Sequence, residues 1–558
     1  MTGQSPVQLG VADSPVDSGA SSPYFLDTAR DAAALRIPVE VSLRPRDGEL
    51  EPLPEWDFAL PQEDGLQVPA SRASGHSAPA TEAAGPAEAT RPSSAELPDT
   101  GGSPVTAGGE LSQASLYVLD EARAFTATPV TVPEDERQDS ETTASSSHPG
   151  LDITAVRRDF PILEERIHGN PLVWLDNAAT TQKPNAVIDR LAHFYRHENS
   201  NIHRAAHELA ARATDAYEAA RDKSARLLHA SGSDEIVFLR GTTEAINLVA
   251  QSWGRRHVGP GDEIVITWLE HHANIVPWQQ LCQATGARLK VAPVDDSGQV
   301  LLEEYERLLG DRTKLVAFSH VSNALGTITP AREMVEIAHR YGARVLVDGA
   351  QAVPHMRVDV QALDCDWYVF SGHKIFGPTG IGVLYGKRNV LEEMPPWQGG
   401  GNMIQDVTFE HTRYQLPPAR FEAGTANIAD AVGLGAALDC VERIGLENIS
   451  RYEHELLAYA TEGLEAIPGL RLIGTARDKA SVLSFVLDGF RPEDVGAALN
   501  REGIAVRAGH HCAQPVLRRF GVESTVRASL AFYNTPGEVD ALIAALRKIQ
   551  GGGVALQH

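Results

Sequence analysis

Two short stretches carry the side chains whose chemistry is clearest. RAGHHCAQPV (507–516) places Cys512, one of four cysteines in 558 residues, directly after two histidines. FSGHKIFGPTG (370–380) follows an apolar run and contains Lys374. A cysteine thiolate is a strong nucleophile, and a lysine amine forms Schiff bases with carbonyl compounds. The two stretches therefore predict covalent catalysis.

The surroundings of Cys512 leave three interpretations open. A nearby cation, from Arg507, His510 or His511, would favour the thiolate and hence a nucleophile. Two histidines beside a cysteine also suit a metal, but no second spaced cluster of ligands accompanies them. A cysteine packed in the core is the third interpretation, although its neighbours are polar. We expect a nucleophile and no metal.

Polar residues follow other apolar runs of the chain in the same way. RVLVDGAQAVPH places Asp348 and Gln351 after one run, and EIVFLRGTTE places Thr242 and Thr243 after another. An acid, a lysine and a helix start that suits a phosphate are what pyridoxal phosphate requires. Each feature alone has an ordinary explanation, such as a helix cap or a solvated lysine. Together, at consecutive strand ends, they predict this cofactor.

The apolar runs that precede these residues are short and alternate with amphipathic stretches. PAREMVEIAHRYG (330–342), for example, has the helical spacing of apolar residues. Buried strands that alternate with helices indicate an α/β fold whose parallel or mostly parallel sheet is covered on both faces. Ligands in such sheets bind beyond the carboxyl ends of the strands. The predicted strands are 235–240, 263–268, 314–320, 344–350 and 366–372.

Bulk composition narrows the classes of function. The length allows two or three domains, and 42% hydrophobic residues suffice for a large core. A net charge of −25 disfavours nucleic acid and anionic membrane as partners. Because no stretch has the pattern of a signal peptide or a membrane span, we expect a cytoplasmic protein. Cys282, Cys365 and Cys440 form no CxxC pair, so we expect neither disulfides nor structural zinc.

The first 150 residues differ in composition from the rest. They hold 24 Asp and Glu, 8 Arg and no Lys, which gives a net charge of −16. Tracts such as 74–104 are rich in Ala, Pro, Ser, Gly and Glu, and they bury too little apolar area to offset the entropy of ordering. We therefore expect residues 1–150 to form a disordered acidic arm.

A short motif occurs twice in this arm. YFLDTAR (24–30) and YVLDEAR (117–123) share Tyr, Leu, Asp, Ala and Arg at the same spacing, and a third apolar cluster contains Trp56 and Phe58. The clusters are chance apolar spots, helical pieces packed on the enzyme itself, or anchors of a multivalent docking segment. The duplication favours docking to a partner protein.

The longest motifs of the chain together resemble one known family. They are LDNAATTQKP, NIHRAAHELA, FLRGTTEAINLVA, EHHANIVPWQ, HVSNALGT, VDGAQAVPH, SGHKIFGPTGIG, PPWQGGGNMI, FEAGTANIA, VRAGHHCAQP and RASLAFYNT. From about residue 151 to the C-terminus, the sequence is similar to cysteine desulfurases of the SufS type, class II members of the fold-type I pyridoxal phosphate enzymes. This resemblance implies a large cofactor-binding domain over 151–425, with 151–170 packing on a small C-terminal α/β domain. The small domain, 426–558, would carry the nucleophile loop.

The resemblance also implies roles for individual residues. Lys374 would attach the cofactor, Asp348 would bind its pyridine nitrogen, and Cys512, Lys374 and His271 would act in catalysis. His271 would stack on the cofactor ring and Gln351 would bind the ring oxygen. The residues implied to bind the cofactor are Lys374, Asp348, Gln351, His271, Thr243, Ser371 and His373, with Thr425 from the second subunit of a homodimer.

The implied reaction is the conversion of L-cysteine to L-alanine, with the sulfur left on Cys512 as a persulfide. Asn323 and Arg527 would bind the substrate carboxylate, for which an arginine fork is well suited. A selenocysteine lyase stays open as an alternative, because the motifs do not separate the two substrates. A scaffold with a vestigial enzyme fold is disfavoured by the intact set of reactive residues.

The acidic arm is not usual in this family. A desulfurase with a long disordered extension resembles the cargo of encapsulin nanocompartments, in which the extension directs loading into a protein shell. We therefore expect residues 1–150 to bind an encapsulin-like shell protein. A tether to a sulfur-acceptor protein is the alternative.

Overall fold

The computed structural model describes residues 151–203 and 207–552. All of them belong to one compact unit, Pro133–His558. The acidic arm with its repeated motif lies outside the described residues, so the expectations for 1–150 stay predictions. Within the described ranges, no helix is both long enough and apolar enough to cross a membrane.

The helices of the described residues range from single turns to 21 residues. They are α1 (Ile153–Arg158), α2 (Asn185–His197), α3 (Glu208–Leu228), α4 (Thr242–Val249), α5 (Arg255–His257), α6 (Val276–Thr285), α7 (Leu302–Leu308), α8 (Ala331–Arg340), α9 (Val360–Leu363), α10 (Arg388–Glu393), α11 (Ile428–Ile444), α12 (Leu446–Glu465), α13 (Pro492–Arg501), α14 (Gln514–Arg519) and α15 (Pro536–Gln550). The amphipathic stretch 330–342 thus forms α8. A π-helical segment, Ala250–Gly254, joins α4 to α5.

The strands of the described residues are short. They are β1 (Arg166–Ile167), β2 (Asn170–Pro171), β3 (Val173–Trp174), β4 (Ile236–Leu239), β5 (Glu263–Thr267), β6 (Arg288–Ala292), β7 (Thr313–Ser319), β8 (Arg344–Asp348), β9 (Trp367–Ser371), β10 (Gly382–Gly386), β11 (Ile404–Val407), β12 (Thr412–Tyr414), β13 (Leu470–Ile473), β14 (Val482–Leu487), β15 (Ile504–Ala505), β16 (Arg507–Gly509) and β17 (Thr525–Ser529).

The largest sheet has seven strands in the order β4-β10-β9-β8-β7-β5-β6. The five strands from β9 to β6 in this order pair in parallel, whereas β10 is antiparallel to both β9 and β4. Since β10 alone is reversed, β4 runs in the same direction as β9. The prediction of a mostly parallel sheet is confirmed, and the five predicted strands are β4, β5, β7, β8 and β9.

Both faces of this sheet are buried. Along β8, Val345 and Val347 belong to one hydrophobic cluster, while Leu346 between them belongs to another. Successive side chains of a strand point to opposite faces, so the two clusters lie on opposite sides of the sheet. Because all five residues of β9 are buried, this strand reads as a continuous apolar run in the sequence.

A second sheet, with the order β13-β14-β17-β16, is antiparallel throughout. It contributes Arg507 from β16 and Arg527 from β17, and the chain then passes from β16 through Cys512 into α14. Near the start of the described residues, Arg157 forms an ion pair of 3.0 Å with Glu538. The domain boundary at residue 425 and the packing of 151–170 on a small domain stay predictions.

Candidate active site

The carboxyl ends of the parallel strands and the turn after β16 surround a cavity of about 400 Å³. Ten of the eleven predicted site residues line it: Cys512, Lys374, His271, Asp348, Gln351, Thr243, Ser371, His373, Asn323 and Arg527. Residues from five strand ends and from the second sheet therefore meet in one place, although they are up to 284 positions apart in the chain.

Lys374 and Asp348 bring opposite charges to this cavity. Lys374 ends the 3-10 turn that follows β9, and Asp348 is the last residue of β8. Asp348 is buried, and its Oδ1 accepts a hydrogen bond of 3.0 Å from the Ala350 N–H. Burial raises the pKa of Asp348, while the charge of Lys374 opposes that rise. Burial lowers the pKa of Lys374 to about 8, so a neutral amine is accessible near neutral pH.

The start of α4 forms a polar cradle beside Lys374. The Thr242 N–H donates to Ser371 Oγ at 2.9 Å, and the hydroxyl oxygens of these two residues are also 2.9 Å apart. Gly241 has φ +155°, and a Cβ at this position would lie only 3.1 Å from Ser371 Oγ, so glycine allows the close approach. Burial lowers the pKa of His373 to about 4. Free N–H groups and the helix dipole at this helix start suit a phosphate.

His271 and Gln351 are held in fixed orientations. His271 Nδ1 accepts a hydrogen bond of 3.0 Å from the Ala273 N–H, so the proton of the neutral ring is on Nε2. Burial, together with the charge of Lys374, lowers the pKa of His271 to about 3. Gln351 Nε2 donates to the Ala178 carbonyl at 2.6 Å. The His271 ring can therefore stack on a flat ligand without adding a positive charge.

Arg527 is the buried cation of the cavity. Its Nη1 donates to the Asn323 carbonyl at 2.9 Å, and its Nη2 donates to Asp176 Oδ1 at 3.2 Å. Among the described residues, Arg527 Nε and Asn323 Oδ1 are buried without a hydrogen-bond partner. Burial lowers the pKa of Arg527 to about 10, so the guanidinium stays charged at neutral pH. The Arg527 guanidinium is a buried cation that lines the cavity and has an unused N–H, which indicates a site for an anionic ligand.

Cys512 lies on a tight turn between β16 and α14. His511 and Cys512 have φ +53° and +54°, a conformation that is costly for residues with a Cβ. The turn is held by three hydrogen bonds: His272 N–H to the Cys512 carbonyl at 2.8 Å, Cys512 N–H to His510 Nδ1 at 3.1 Å, and Asn323 Nδ2 to the His511 carbonyl at 2.7 Å. Cys512 is half-buried, whereas the other three cysteines are buried. The structure thus presents one partly accessible thiol to the cavity.

His511 does not supply a positive charge beside Cys512, although the sequence left this role open for it. It is buried, and its Nε2 lies 2.7 Å from Thr525 Oγ1. Burial lowers the pKa of His511 to about 2, so the ring is neutral at neutral pH and this candidate for favouring the thiolate was wrong. Arg507, whose side chain lines the same cavity as Cys512, is the permanently charged candidate.

Thr425 is the predicted site residue that lies outside this cavity. It is exposed in the segment before α11, and it lines a separate cavity with Arg240 and Glu244. Its predicted role is in the site of a second subunit, and such a residue is expected to lie outside the site of its own subunit.

Two acidic residues beside the cavity-lining residues were not predicted from the sequence. Asp176 bridges Arg507 and Arg527, and the LDNAATTQKP motif was the only signal for it. Glu270, next to His271, is fully buried and accepts hydrogen bonds from Thr267 Oγ1 at 2.6 Å and Asn274 Nδ2 at 2.6 Å. The EHHANIVPWQ motif was the only signal for it. In the ranges that the structure covers, no three His, Cys, Asp or Glu side chains are grouped to hold a metal ion.

Known proteins show clear similarity to this chain. Residues 173–542 match the family described as Aminotransferase class-V. A cysteine desulfurase from Synechococcus elongatus is 72% identical over 73% of this chain and 65% of its own length. A probable cysteine desulfurase from Mycolicibacterium paratuberculosis is 68% identical over 73% of this chain and 59% of its own length. A crystal structure of a cysteine desulfurase from Escherichia coli is 41% identical, covers 72% of this chain and 99% of its own chain, and has a TM-score of 0.68.

These matches define the class of protein. The chain belongs to the aminotransferase class-V family, whose fold is that of the fold-type I enzymes. The family uses pyridoxal phosphate as its cofactor. The chain spans less than two thirds of the length of the two curated relatives named above.

The residues of the cavity fit this cofactor. Lys374 offers an amine whose pKa is lowered, which suits covalent attachment of a carbonyl compound. Asp348 offers a buried carboxyl group with one oxygen engaged by a single N–H, and so leaves acceptor capacity for a ring N–H. Thr243, Ser371 and His373 surround a helix start that suits the phosphate.

Proposed function

We propose that this chain is a pyridoxal-phosphate-dependent cysteine desulfurase of the SufS type, which converts L-cysteine to L-alanine and keeps the sulfur on Cys512 as a persulfide. The observation that carries the proposal is that Lys374, Asp348, Arg527 and Cys512 line a single cavity. This reaction needs three groups in one place: a lysine that attaches the cofactor, a cation for the substrate carboxylate and a partly accessible thiol. Similarity to proteins described as cysteine desulfurases supports the same activity.

The bound cofactor provides an electron sink that makes the α-hydrogen of an amino acid acidic. Arg527 and Asn323 hold the substrate carboxylate, which directs the substrate thiol towards the Cys512 turn. Lys374 Nζ accepts the α-proton, because its lowered pKa makes the neutral amine accessible. The Cys512 thiolate attacks the substrate sulfur, so that an S–S bond forms and the C–S bond breaks. The electron pair of the broken bond stays with the carbon fragment, which takes up protons and leaves as alanine.

Alanine release by the holoenzyme tests this function. The full-length protein loaded with pyridoxal phosphate should release about one alanine for each L-cysteine consumed, as the balanced reaction requires. Lys374→Ala should release none, whereas Lys314→Ala, which changes a half-buried lysine on β7, should match the wild type. A wild-type holoenzyme that releases alanine from L-selenocysteine but not from L-cysteine would replace the proposal with a selenocysteine lyase.

We also propose that the enzyme is a homodimer in which Thr425 of the partner subunit completes the phosphate site. The β11–β12 hairpin and the residues that follow it expose large apolar side chains, with Phe409 in the hairpin fully exposed and Leu416 after it 67% exposed. The Gly424 N–H donates to the Gly401 carbonyl at 2.9 Å, so the segment before this hairpin is fastened to the Thr425 segment. Exposed apolar side chains of this size are typical of an interface that a second subunit covers.

For residues 1–150 we propose docking to an encapsulin-like shell protein, which would place the enzyme inside a cytoplasmic nanocompartment. The support is the sequence alone: a lysine-free acidic arm and two copies of one motif 93 positions apart. Each copy can bind weakly, since two linked contacts on a repeating shell surface gain affinity through effective concentration. A sulfur-acceptor protein is the alternative partner.

Co-expression with a shell protein separates these two partners. The full-length chain and a variant with Leu26→Asp and Leu119→Asp should be expressed with the shell protein of the host, followed by sedimentation of the particles. We expect desulfurase activity in the particle fraction for the full-length chain and its loss for the variant. Equal activity in both particle fractions would favour the acceptor protein as the partner.

A further inference from the structure

Lys183 is a half-buried lysine behind the wall of the cavity. It lies between β3 and α2, and its Nζ donates to the His373 carbonyl at 3.3 Å and also to the Thr181 carbonyl. His373 lines the cavity, whereas Lys183 does not. Burial alone lowers the pKa of Lys183 to about 8, and no carboxylate of the described residues pairs with it. At neutral pH the ammonium group is thus charged but has only neutral partners.

The His373 carbonyl joins Lys183 to the turn that carries Lys374. The same oxygen accepts from the Thr181 N–H at 3.0 Å and from the Thr180 hydroxyl at 3.1 Å. The turn after β9 is therefore fastened to the segment of Lys183, which holds the ammonium group behind His373. Its charge also acts on the His373 ring, whose pKa is lowered to about 4 by burial and by the charges of Lys374 and Lys183.

The predicted phosphate site at the start of α4 is lined by neutral groups. Thr243 and Ser371 offer hydroxyl groups, and the His373 ring is neutral at its lowered pKa. A phosphate monoester carries roughly 1.5 to 2 negative charges at pH 7. The start of a helix supplies roughly half a positive charge. A bound phosphate at this place would therefore gain from a further positive charge nearby.

The other cations around the cavity have partners or tasks of their own. Lys374 is the predicted attachment site and so is committed to the ring of the cofactor. Arg507 and Arg527 lie on the second sheet, where both pair with one acid. Arg240 lies beside the start of α4, but its side chain is 79% exposed and pairs with an acid at 3.3 Å. Lys183 is the half-buried cation that lacks an acidic partner.

We propose that Lys183 is a positioning residue that supplies a counter-charge for the phosphate of the cofactor from behind His373. The inference rests on the proposed function, because that function puts the phosphate at the start of α4. Lys183 acts through its charge, which is weakly screened behind the cavity wall, and through its hydrogen bond to the turn of His373. Neither effect requires contact with the cofactor.

Two ligands that differ only in the phosphate test this role. The full-length protein, stripped of cofactor, is titrated with pyridoxal phosphate and with pyridoxal, and the absorbance change on attachment gives both dissociation constants. Lys183→Met has similar length but no charge. We expect it to reduce the preference for pyridoxal phosphate over pyridoxal by about tenfold, because a charge acting over several ångströms through protein favours only the phosphorylated ligand.

Conservative variants separate the charge from the fold. Lys183→Arg keeps the positive charge and should keep the preference within about threefold of the wild type. Lys183→Gln keeps a hydrogen-bond donor but lacks the charge, and it should behave as Lys183→Met does. Lys314→Met, which changes a half-buried lysine on β7, should leave the preference unchanged. A purely structural role of Lys183 would weaken both ligands alike, and the preference would not change.

The outcomes separate this inference from the proposed function. If the wild type turns over L-cysteine but neither Lys183→Met nor Lys183→Gln lowers the preference, the role of Lys183 is overturned while the desulfurase remains. If Lys183→Met does not fold, an unchanged preference in Lys183→Gln is enough to overturn it. If the preference falls in both variants but the wild-type holoenzyme turns over no L-cysteine, the proposed function fails and the role of Lys183 stands.

Discussion

Replacement of Arg527 by lysine tests the proposed binding of the substrate carboxylate to the Arg527 guanidinium. The native guanidinium is buried and bonds to the Asn323 carbonyl at 2.9 Å and to Asp176 Oδ1 at 3.2 Å. A lysine ammonium keeps the charge but lacks the planar fork. It cannot retain both of these bonds and also grip a carboxylate with two parallel hydrogen bonds. We therefore expect a folded protein that binds substrate more weakly.

The size of the effect follows from the lost hydrogen bond. A hydrogen bond to a charged group contributes about 1.5–3 kcal/mol. Loss of one such bond to the substrate carboxylate should lower kcat/KM for L-cysteine by about tenfold to 150-fold. Since the carboxylate is bound before and during the reaction, KM should rise more than kcat falls.

Steady-state alanine formation by the holoenzyme measures this change. Arg518→Lys is the matched control, because Arg518 is exposed and pairs at the surface with Glu523 at 3.1 Å. The control should keep kcat/KM within about twofold, as surface ion pairs contribute little. An Arg527→Lys enzyme with the kcat/KM of the wild type would refute the assignment of Arg527 to the substrate carboxylate.

Three further predictions concern the cofactor, the stability and the assembly. Lys374→Ala should lose protein-bound cofactor absorbance on gel filtration, while Lys314→Ala retains it; equal retention would exclude Lys374 as the attachment site. Burial lowers the pKa of His320 from 6.5 to about 4, so its neutral form stabilises the fold above pH 6.5 and that stability is lost as the pH falls towards 4. At pH 5 this effect should lower the free energy of unfolding of the wild type by about 2 kcal/mol, and His320→Gln should not show this loss in thermal unfolding. A variant with the same pH dependence of stability as the wild type would contradict this. Light scattering on the full-length holoenzyme should give the mass of a dimer, whereas a fully active monomer would argue against Thr425 of the partner subunit as a ligand of the phosphate.

The strands that position the site were predictable because their signals are local. The predicted strands 344–350 and 366–372 correspond to β8 (Arg344–Asp348) and β9 (Trp367–Ser371). Each apolar run is buried on both faces of the sheet, and the polar residue that ends it faces the cavity. The strand ends were placed one or two residues too late, since the first residues of the following turns are not distinguished by hydropathy. Strand β10 was not among the predicted strands, and its antiparallel direction could not be predicted either, because an apolar run of five residues has the same pattern in either direction.

Contacts between distant parts of the chain could not be predicted from local patterns. The partners of Asp176 lie 331 and 351 positions further along the chain, so its role became visible only when β16 and β17 were placed beside it. The neutral state of His511 likewise depends on burial, which is a property of the tertiary structure. From the sequence, His511 and its exposed neighbour His510 had equal claims to a charge beside Cys512.

Mass analysis of the Cys512 peptide after reaction with L-cysteine shows whether Cys512 takes up the sulfur of the substrate. In the absence of a thiol acceptor, the wild-type holoenzyme should carry one additional sulfur atom on Cys512 and release alanine in the same turnover. Cys512→Ala should keep the cofactor but gain no sulfur, while Cys440→Ala, which changes a buried cysteine, should behave as the wild type does. Sulfur found on another cysteine of the wild type, or sustained desulfuration by Cys512→Ala, would show that Cys512 is not the residue that accepts the sulfur.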